Sequence, residues 1–104
     1  MSNEIMIKMI NGEELIAQRK TETDSTIVVS LPVSVQPQMD PNGQVGIAMA
    51  PWVPFAKDDK NVEINKDLVL TVYTPVEEMI NQYNTRFGSG LVLAANMPKE
   101  LLTE

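Results

Sequence analysis

Adjacent pairs of carboxylates are the residues of this chain whose types most readily suggest chemistry. They occur at Glu13–Glu14, Asp58–Asp59 and Glu77–Glu78. Two carboxylates that converge can hold Mg²⁺ or act as general acid and base. Adjacent residues of a strand point to opposite faces, so the first pair diverges. The helix dipole favours acids such as the third pair in a first helical turn. We therefore interpret all three pairs as structural.

The composition removes the commonest catalytic groups. The chain has no histidine and no cysteine, which excludes Ser-His triads, imidazole or thiolate zinc ligands, and cysteine nucleophiles. Gly43 and Gly46 are not followed by the helix of a phosphate-binding loop. The Asp40–Gly43 turn lacks the ligand spacing of a calcium loop. We predict that the protein is not an enzyme and needs neither a cofactor nor a metal.

Length and net charge limit the remaining classes of protein and of binding partner. The 104 residues suit a single domain with one modest core, and the net charge of -6 opposes broad binding to phosphate backbones or anionic membranes. The first residues lack a secretory signal. The apolar run Val45–Ala56 is too short to span a bilayer. We expect a cytoplasmic protein without a membrane partner.

Alternating apolar residues and turn motifs predict a mainly β fold. Asn11-Gly12 favours a type I′ hairpin turn, and Pro32 indicates a bulge or an edge. The predicted strands are Glu4–Ile10, Glu13–Thr21, Thr26–Gln36, Val45–Ala56 and Asp67–Thr74, with a short segment at Val62–Ile64 before the last. Five long strands in so short a chain most economically close into a strongly bent antiparallel barrel.

One helix follows the strands. Thr74 is its predicted N-cap, Pro75 its first residue and Glu77 the third residue of a capping box, and Gly88 is a natural stop. We predict a single domain over residues 1–88, with the barrel at about 4–74 and the helix at about 75–87. Residues 89–104 would form a tail or arm.

The order of these segments resembles the Sm-like family of small, SH3-like barrels. "IKMINGEELIAQ", "TDST" and "IVVSLPVSV" follow the first motif of the family, and "VEINKDLVLTVYTP" follows the second. The resemblance covers about Ile5 to Thr74 and is closest in style to divergent bacteriophage proteins of the cyanophage type. A phage origin would place the protein in the host cytoplasm.

The resemblance implies a site for single-stranded RNA in the pore loops. Asp24, Asn65 and Lys66 occupy the matching positions, where Asn65 would hold a base edge and Lys66 a phosphate. Neither loop offers an aromatic residue for stacking. A ring that has a structural or adaptor role and binds no nucleic acid is therefore the alternative.

The resemblance also implies assembly into a homo-oligomeric ring of five to seven subunits. The fourth strand of one subunit would pair with the fifth strand of the next, which hides two strand edges at once. The expected contact residues are Trp52 and Phe55 on the fourth strand and Val69 and Thr71 on the fifth. The resemblance makes Trp52 and Phe55 core or interface anchors instead of residues of a ligand pocket.

Overall fold

The computed structural model describes residues 3–88 of the chain, and they form a mainly β structure. The strands are β1 (Glu4–Met9), β2 (Glu14–Glu22), β3 (Thr26–Met39), β4 (Val45–Pro51), β5 (Val62–Asn65) and β6 (Val69–Tyr73). A 3₁₀ turn at Lys66–Leu68 joins β5 to β6, helix α1 spans Glu77–Tyr83, and a π-helical turn follows at Asn84–Gly88. The predicted fold class is confirmed. The predicted tail, residues 89–104, lies outside the described residues.

The sheet is antiparallel throughout, in the order β4-β3-β2-β1-β6, with β5 paired to β3. β3 is long enough to pair with two strands along the edge that does not pair with β2. Its residues Thr26–Val29 pair with β5, and Val33–Met39 pair with β4. Between these halves the backbone bends at Leu31, whose φ of 54° lies in the left-handed region. β5 pairs with the half of β3 that precedes the bend, while the next strand, β6, pairs with β1 at the far end of the sheet. The short connection between β5 and β6 therefore brings the two ends of the sheet together, and the sheet curls into a small barrel.

The β1–β2 and β3–β4 hairpin turns share one design, which differs from the type I′ turn predicted at Asn11-Gly12. In the first, Met9 N–H donates to the Glu13 carbonyl at 2.8 Å, and Gly12 N–H donates to the Met9 carbonyl at 2.9 Å. Gly12 has a φ of 96° while Asn11 does not have a positive φ. Three residues therefore form the loop, with glycine alone in the left-handed region that a side chain would disfavour. Gly43, with a φ of 84°, closes the β3–β4 hairpin in the same way.

The core has two parts because β1 is buried on both faces. The inner cluster fills the barrel and consists of Ile5, Ile7, Met9, Leu15, Ala17, Ile27, Val29 and Ile64. The outer cluster lies on the opposite face of the sheet and consists of Met6, Ile16, Val33 and Tyr83. Burial on both faces explains why β1 is an almost continuous apolar run.

Helix α1 completes the outer cluster. Its last residue, Tyr83, is fully buried against Met6, Ile16 and Val33. The predicted capping by Thr74 does not occur, because Val76 is the N-cap residue, with extended backbone and no side-chain cap. Thr74 and Pro75 precede this cap and lie outside the helix. The helix consequently begins at Glu77.

Three predicted strand boundaries are wrong by two residues or more, and the first is the end of the third strand, which was expected at Gln36 and lies at Met39. The fourth strand was expected to reach Ala56 but ends at Pro51, since neither Pro51 nor Pro54 has an N–H to donate to a ladder. The start of the fifth strand, at Asp67, instead belongs to the 3₁₀ turn, which Asn65 caps. Within residues 3–88, no helix is long and apolar enough to cross a membrane.

Candidate nucleic-acid interface

Two loops that are distant in sequence meet at one end of the barrel. The first is the β2–β3 turn, Thr23–Ser25, and the second is the Asn65-Lys66 step after β5. Lys66 N–H donates to the Ser25 carbonyl at 2.9 Å, and Asn65 lies opposite Thr26 in the ladder. The structure therefore brings Asn65 and Lys66 beside the turn that carries Asp24.

The β2–β3 turn is ordered by its own side chains. Thr23 Oγ1 accepts hydrogen bonds from the N–H groups of Ser25 at 3.3 Å and Thr26 at 3.0 Å. The Thr23 N–H donates to the Thr26 carbonyl at 2.8 Å. Local side-chain bonds of this kind favour turns over continued strand. Asp24 is thereby held exposed within the turn.

Asn65 has a structural duty in addition to its predicted role. Its Oδ1 accepts a hydrogen bond from the Asp67 N–H at 2.9 Å and so caps the 3₁₀ turn. The amide oxygen is engaged, so contact with a base would fall mainly to the side-chain NH₂ group, which donates to carbonyl and ring-nitrogen acceptors. Asn65 is exposed, which leaves this group accessible to solvent.

Lys66 forms an ion pair that sequence reasoning missed. Its Nζ lies 2.7 Å from Glu22 Oε2, and Arg19 approaches the other oxygen of Glu22 at 3.9 Å. The hydrogen bond and charge of Lys66 lower the pKa of the Glu22 carboxyl, and Arg19 acts in the same direction. The charge of Lys66 is therefore partly neutralised by a side chain of the same chain. The polar outer end of the second strand was visible in the sequence, but its partner lies 44 residues away.

These side chains border a cavity of about 300 Å³ at the mouth of the barrel. Its apolar lining is Ile27, Val69 and Val72, and its charged lining is Arg19, Glu22 and Lys66. An aliphatic floor can take the face of a planar ring, and the two cations can hold an anionic group beside it. The lining contains no aromatic side chain, so a bound base would rest on methyl groups.

The four predicted contact residues have different environments. Trp52 is half-buried and packs against the inner cluster, and Val69 does the same. Phe55, in contrast, is 98% exposed. Thr71 is exposed on β6, where it pairs with Lys8. Whether these residues meet a second subunit remains a prediction.

Strands β4 and β6 end the sheet, and each has one edge without a strand partner among residues 3–88. Two exposed apolar residues on β6 escaped the prediction: Leu70, which is 63% exposed, and Tyr73, which is 43% exposed. Leu70 stands at the bulge where the β1–β6 register shifts, between the partners of Lys8 and Met9. Because a bulge interrupts the regular alternation of inward and outward side chains, the sequence pattern did not predict that Leu70 is exposed.

Members of the first two carboxylate pairs accept hydrogen bonds within the fold. Glu13 accepts from Asn11 Nδ2 at 3.2 Å, and Glu14 accepts from the Tyr73 hydroxyl at 2.5 Å. Asp58 Oδ1 accepts from the Lys60 N–H at 2.9 Å. Among residues 3–88, no group of three or more acidic side chains converges as a metal site would require.

The model of the Sm-like domain family matches residues 6–84 of the chain, which is most of its length. The match includes both loops at the mouth of the barrel as well as the whole of α1. No curated protein matches the chain.

Proposed function

Because the chain belongs to the Sm-like family, we propose that it forms a homo-oligomeric ring of five to seven subunits that binds single-stranded RNA at its pore loops. The observation that carries the RNA proposal is the meeting of Asn65 and Lys66 with the β2–β3 turn, beside a cavity whose lining is half aliphatic and half charged. The family is generally non-enzymatic, and we propose the same for this chain.

The character of the two sheet edges supports the ring. Natural edge strands are usually protected by charged side chains, proline or bulges, because an unprotected edge invites pairing with another chain. β4, "VGIAMAP", has no charged residue and only a terminal proline, and β6, "VLTVY", has neither charge nor proline and carries one bulge, at Leu70. Pairing of β4 with the β6 of a neighbour would satisfy both edges and repeat around a closed ring.

A ring also explains how a small site could act in so acidic a protein. Each subunit offers Lys66 and Arg19 against Glu22, which gives a local excess of one positive charge. One such site binds weakly, but copies on a common pore bind successive nucleotides of the same strand, and their contributions combine. We propose that Lys66 contacts a phosphate and that the Asn65 amide contacts a base.

The second candidate is a ring with a structural or adaptor role and no nucleic-acid ligand, as in a phage particle. The Lys66–Glu22 ion pair favours this candidate, because the cation expected to meet a phosphate already has a carboxylate at 2.7 Å. The net charge of -6 acts in the same direction. In either case we propose a cytoplasmic location, in the host cell if the protein is of phage origin.

Mass measurement tests the ring directly. Light scattering of the purified protein should give five to seven times the 11.6 kDa of one chain. A monomer at every concentration would remove both ring candidates.

RNA titration separates the two candidates. Fluorescence anisotropy with labelled oligo-U and oligo-A at low ionic strength should show binding that weakens as salt rises. Lys66→Ala should reduce that binding, whereas Lys57→Ala, which removes an exposed charge outside the cavity, should not. Absence of salt-dependent binding, or an equal effect of both variants, would favour the structural role.

A further inference from the structure

A second and larger cavity, of about 500 Å³, lies apart from the Arg19–Glu22 side of the barrel mouth. It is bordered by the β1–β2 turn, the segment after β4, strand β5 and the 3₁₀ turn. Its lining residues are Met9, Ile10, Asn11, Glu13, Trp52, Glu63, Ile64, Asn65 and Leu68. Only Asn65 is shared with the candidate RNA site. Its volume suits a side chain or small ligand.

The lower part of this cavity is apolar and firmly built. Met9 and Ile64 belong to the inner cluster and are 5% and 2% exposed. Ile10 and Leu68 form an apolar rim and are 59% and 48% exposed. The Ile10 N–H donates to the Leu68 carbonyl at 2.9 Å, which ties the two sides of the rim together. Exposed apolar residues around a concavity are typical of a binding surface.

The charges of the lining are all negative. Glu13 and Glu63 contribute carboxylates, and the lining contains neither lysine nor arginine. The Glu13 side chain is oriented by Asn11, whose Nδ2 donates to Glu13 Oε1 at 3.2 Å and whose Oδ1 accepts the Glu13 N–H at 3.0 Å. Two carboxylates at an apolar cavity repel phosphate groups and attract cations.

Trp52 adds the third element of a cation site. Its backbone N–H donates to the Pro32 carbonyl at 2.9 Å, and its indole packs against the inner cluster while lining the cavity. Tryptophan has the strongest attraction for cations among aromatic side chains, and arginine combines this attraction with bidentate bonds to carboxylates.

We propose that this cavity binds an arginine side chain presented by a partner protein. The guanidinium lies between Trp52 and the carboxylates of Glu13 and Glu63, and the aliphatic part of the arginine covers Ile10 and Leu68. Charge complementarity sets the partner apart from RNA, which the same carboxylates repel. The site shares Asn65 with the proposed RNA site, but Lys66 and Arg19, the cations of that site, do not line it.

The single tryptophan of the chain makes the proposal easy to test, because selectively excited tryptophan emission comes from Trp52 alone. The probe is the peptide acetyl-Gly-Arg-Gly-amide, and its control contains citrulline, which has the same shape without the charge. The arginine peptide should change Trp52 emission saturably, and the citrulline peptide should bind at least about threefold more weakly. Calorimetry with the same two peptides detects binding that leaves the emission unchanged.

Matched variants separate this site from general attraction to an acidic protein. Glu63→Gln should weaken binding of the arginine peptide about threefold or more. Glu78→Gln removes the same charge from an exposed position on α1 and should leave binding unchanged. Equal weakening by both variants, equal binding of both peptides, or no heat and no change in emission would overturn the proposal. A smaller oligomer in Glu63→Gln would assign the cavity to a neighbouring subunit and would also overturn it.

Discussion

Replacement of Tyr83 by phenylalanine tests whether helix α1 holds the bend in β3. The fully buried Tyr83 donates its hydroxyl hydrogen to the Leu31 carbonyl at 2.8 Å, and the Ser30 carbonyl lies 3.4 Å from the same oxygen. Among residues 3–88, Leu31 is the only residue other than glycine that has a positive φ. On its other side, the Leu31 N–H donates to the Asp59 carbonyl at 2.6 Å. Both backbone groups of the bend are thus held by residues distant in sequence.

The magnitude follows from what the substitution removes. Phenylalanine keeps the ring packing against the outer cluster, so the loss is confined to the hydroxyl and leaves the Leu31 carbonyl without that donor. A hydrogen bond of this kind contributes about 1 kcal/mol net. For a domain of this size, about 1 kcal/mol corresponds to a fall in Tm of roughly 4–8 °C.

Circular dichroism melts at one protein concentration measure this change. Tyr73→Phe is the matched control, because it removes a hydroxyl that bonds Glu14 at a more exposed site on β6. We expect the control to lower the Tm less than Tyr83→Phe does, since exposed polar contacts contribute less. If Tyr83→Phe has the smaller effect, the hydroxyl does not stabilise the bend.

Three further predictions concern the RNA site, the response to pH and the ring. Glu22→Gln should release Lys66 and strengthen oligo-U binding a few-fold at low salt, with a steeper salt dependence in the anisotropy titration; unchanged binding would mean that Lys66 contacts no phosphate. The hydrogen bond to Glu14 raises the pKa of Tyr73 to about 12. The bond should therefore contribute fully to stability below pH 10, and this contribution should disappear as pH rises from 10 to 12. Urea titrations across this pH range should show a smaller fall in the free energy of unfolding for Tyr73→Phe than for the unchanged protein. Leu70→Lys, at an exposed position of the β6 edge, should reduce the mass seen in light scattering, and an intact ring would exclude β6 from the subunit contact.

Most of the strands could be predicted because their causes are local. Alternating apolar residues and the Asn-Gly and Pro-Asn-Gly turns determine where β1, β2 and β3 begin and where the chain reverses. Burial of both faces of β1 was not predictable from periodicity, since it depends on α1 covering the outer face. Local signals therefore specify the hairpins, and the position of the helix requires the tertiary structure.

The bend at Leu31 shows the limit of local reasoning. Pro32 correctly indicated an irregularity in the third strand, but leucine is rarely left-handed, and its own sequence context does not predict a φ of 54°. The conformation is held by contacts with Asp59 and Tyr83, both distant along the chain. Tertiary contacts hold Leu31 in this strained conformation, and the residues next to it in the sequence do not reveal those contacts.

The candidate RNA site was predictable only in part. The motif resemblance identified Asn65 and Lys66, and the ladder confirms that they lie beside the β2–β3 turn. The opposing charge of Glu22 was not predictable, because the outer end of β2 gave no register relative to Lys66. That ion pair is also the observation that most directly separates the two functional candidates.

The stretch Ala50–Ala56, "APWVPFA", has a different meaning once the strand boundaries are known. Pro51 ends β4, Trp52 turns inward against the inner cluster, and Phe55 points away, so two aromatics three positions apart serve different surfaces. The uncharged β4 edge that a neighbouring subunit could pair with therefore stops before Trp52. If the ring forms through β4 and β6, the pairing accounts for Val45–Pro51 and leaves Trp52 to the acidic cavity. The ring contact and the arginine site then lie side by side on this segment without competing for the same residue.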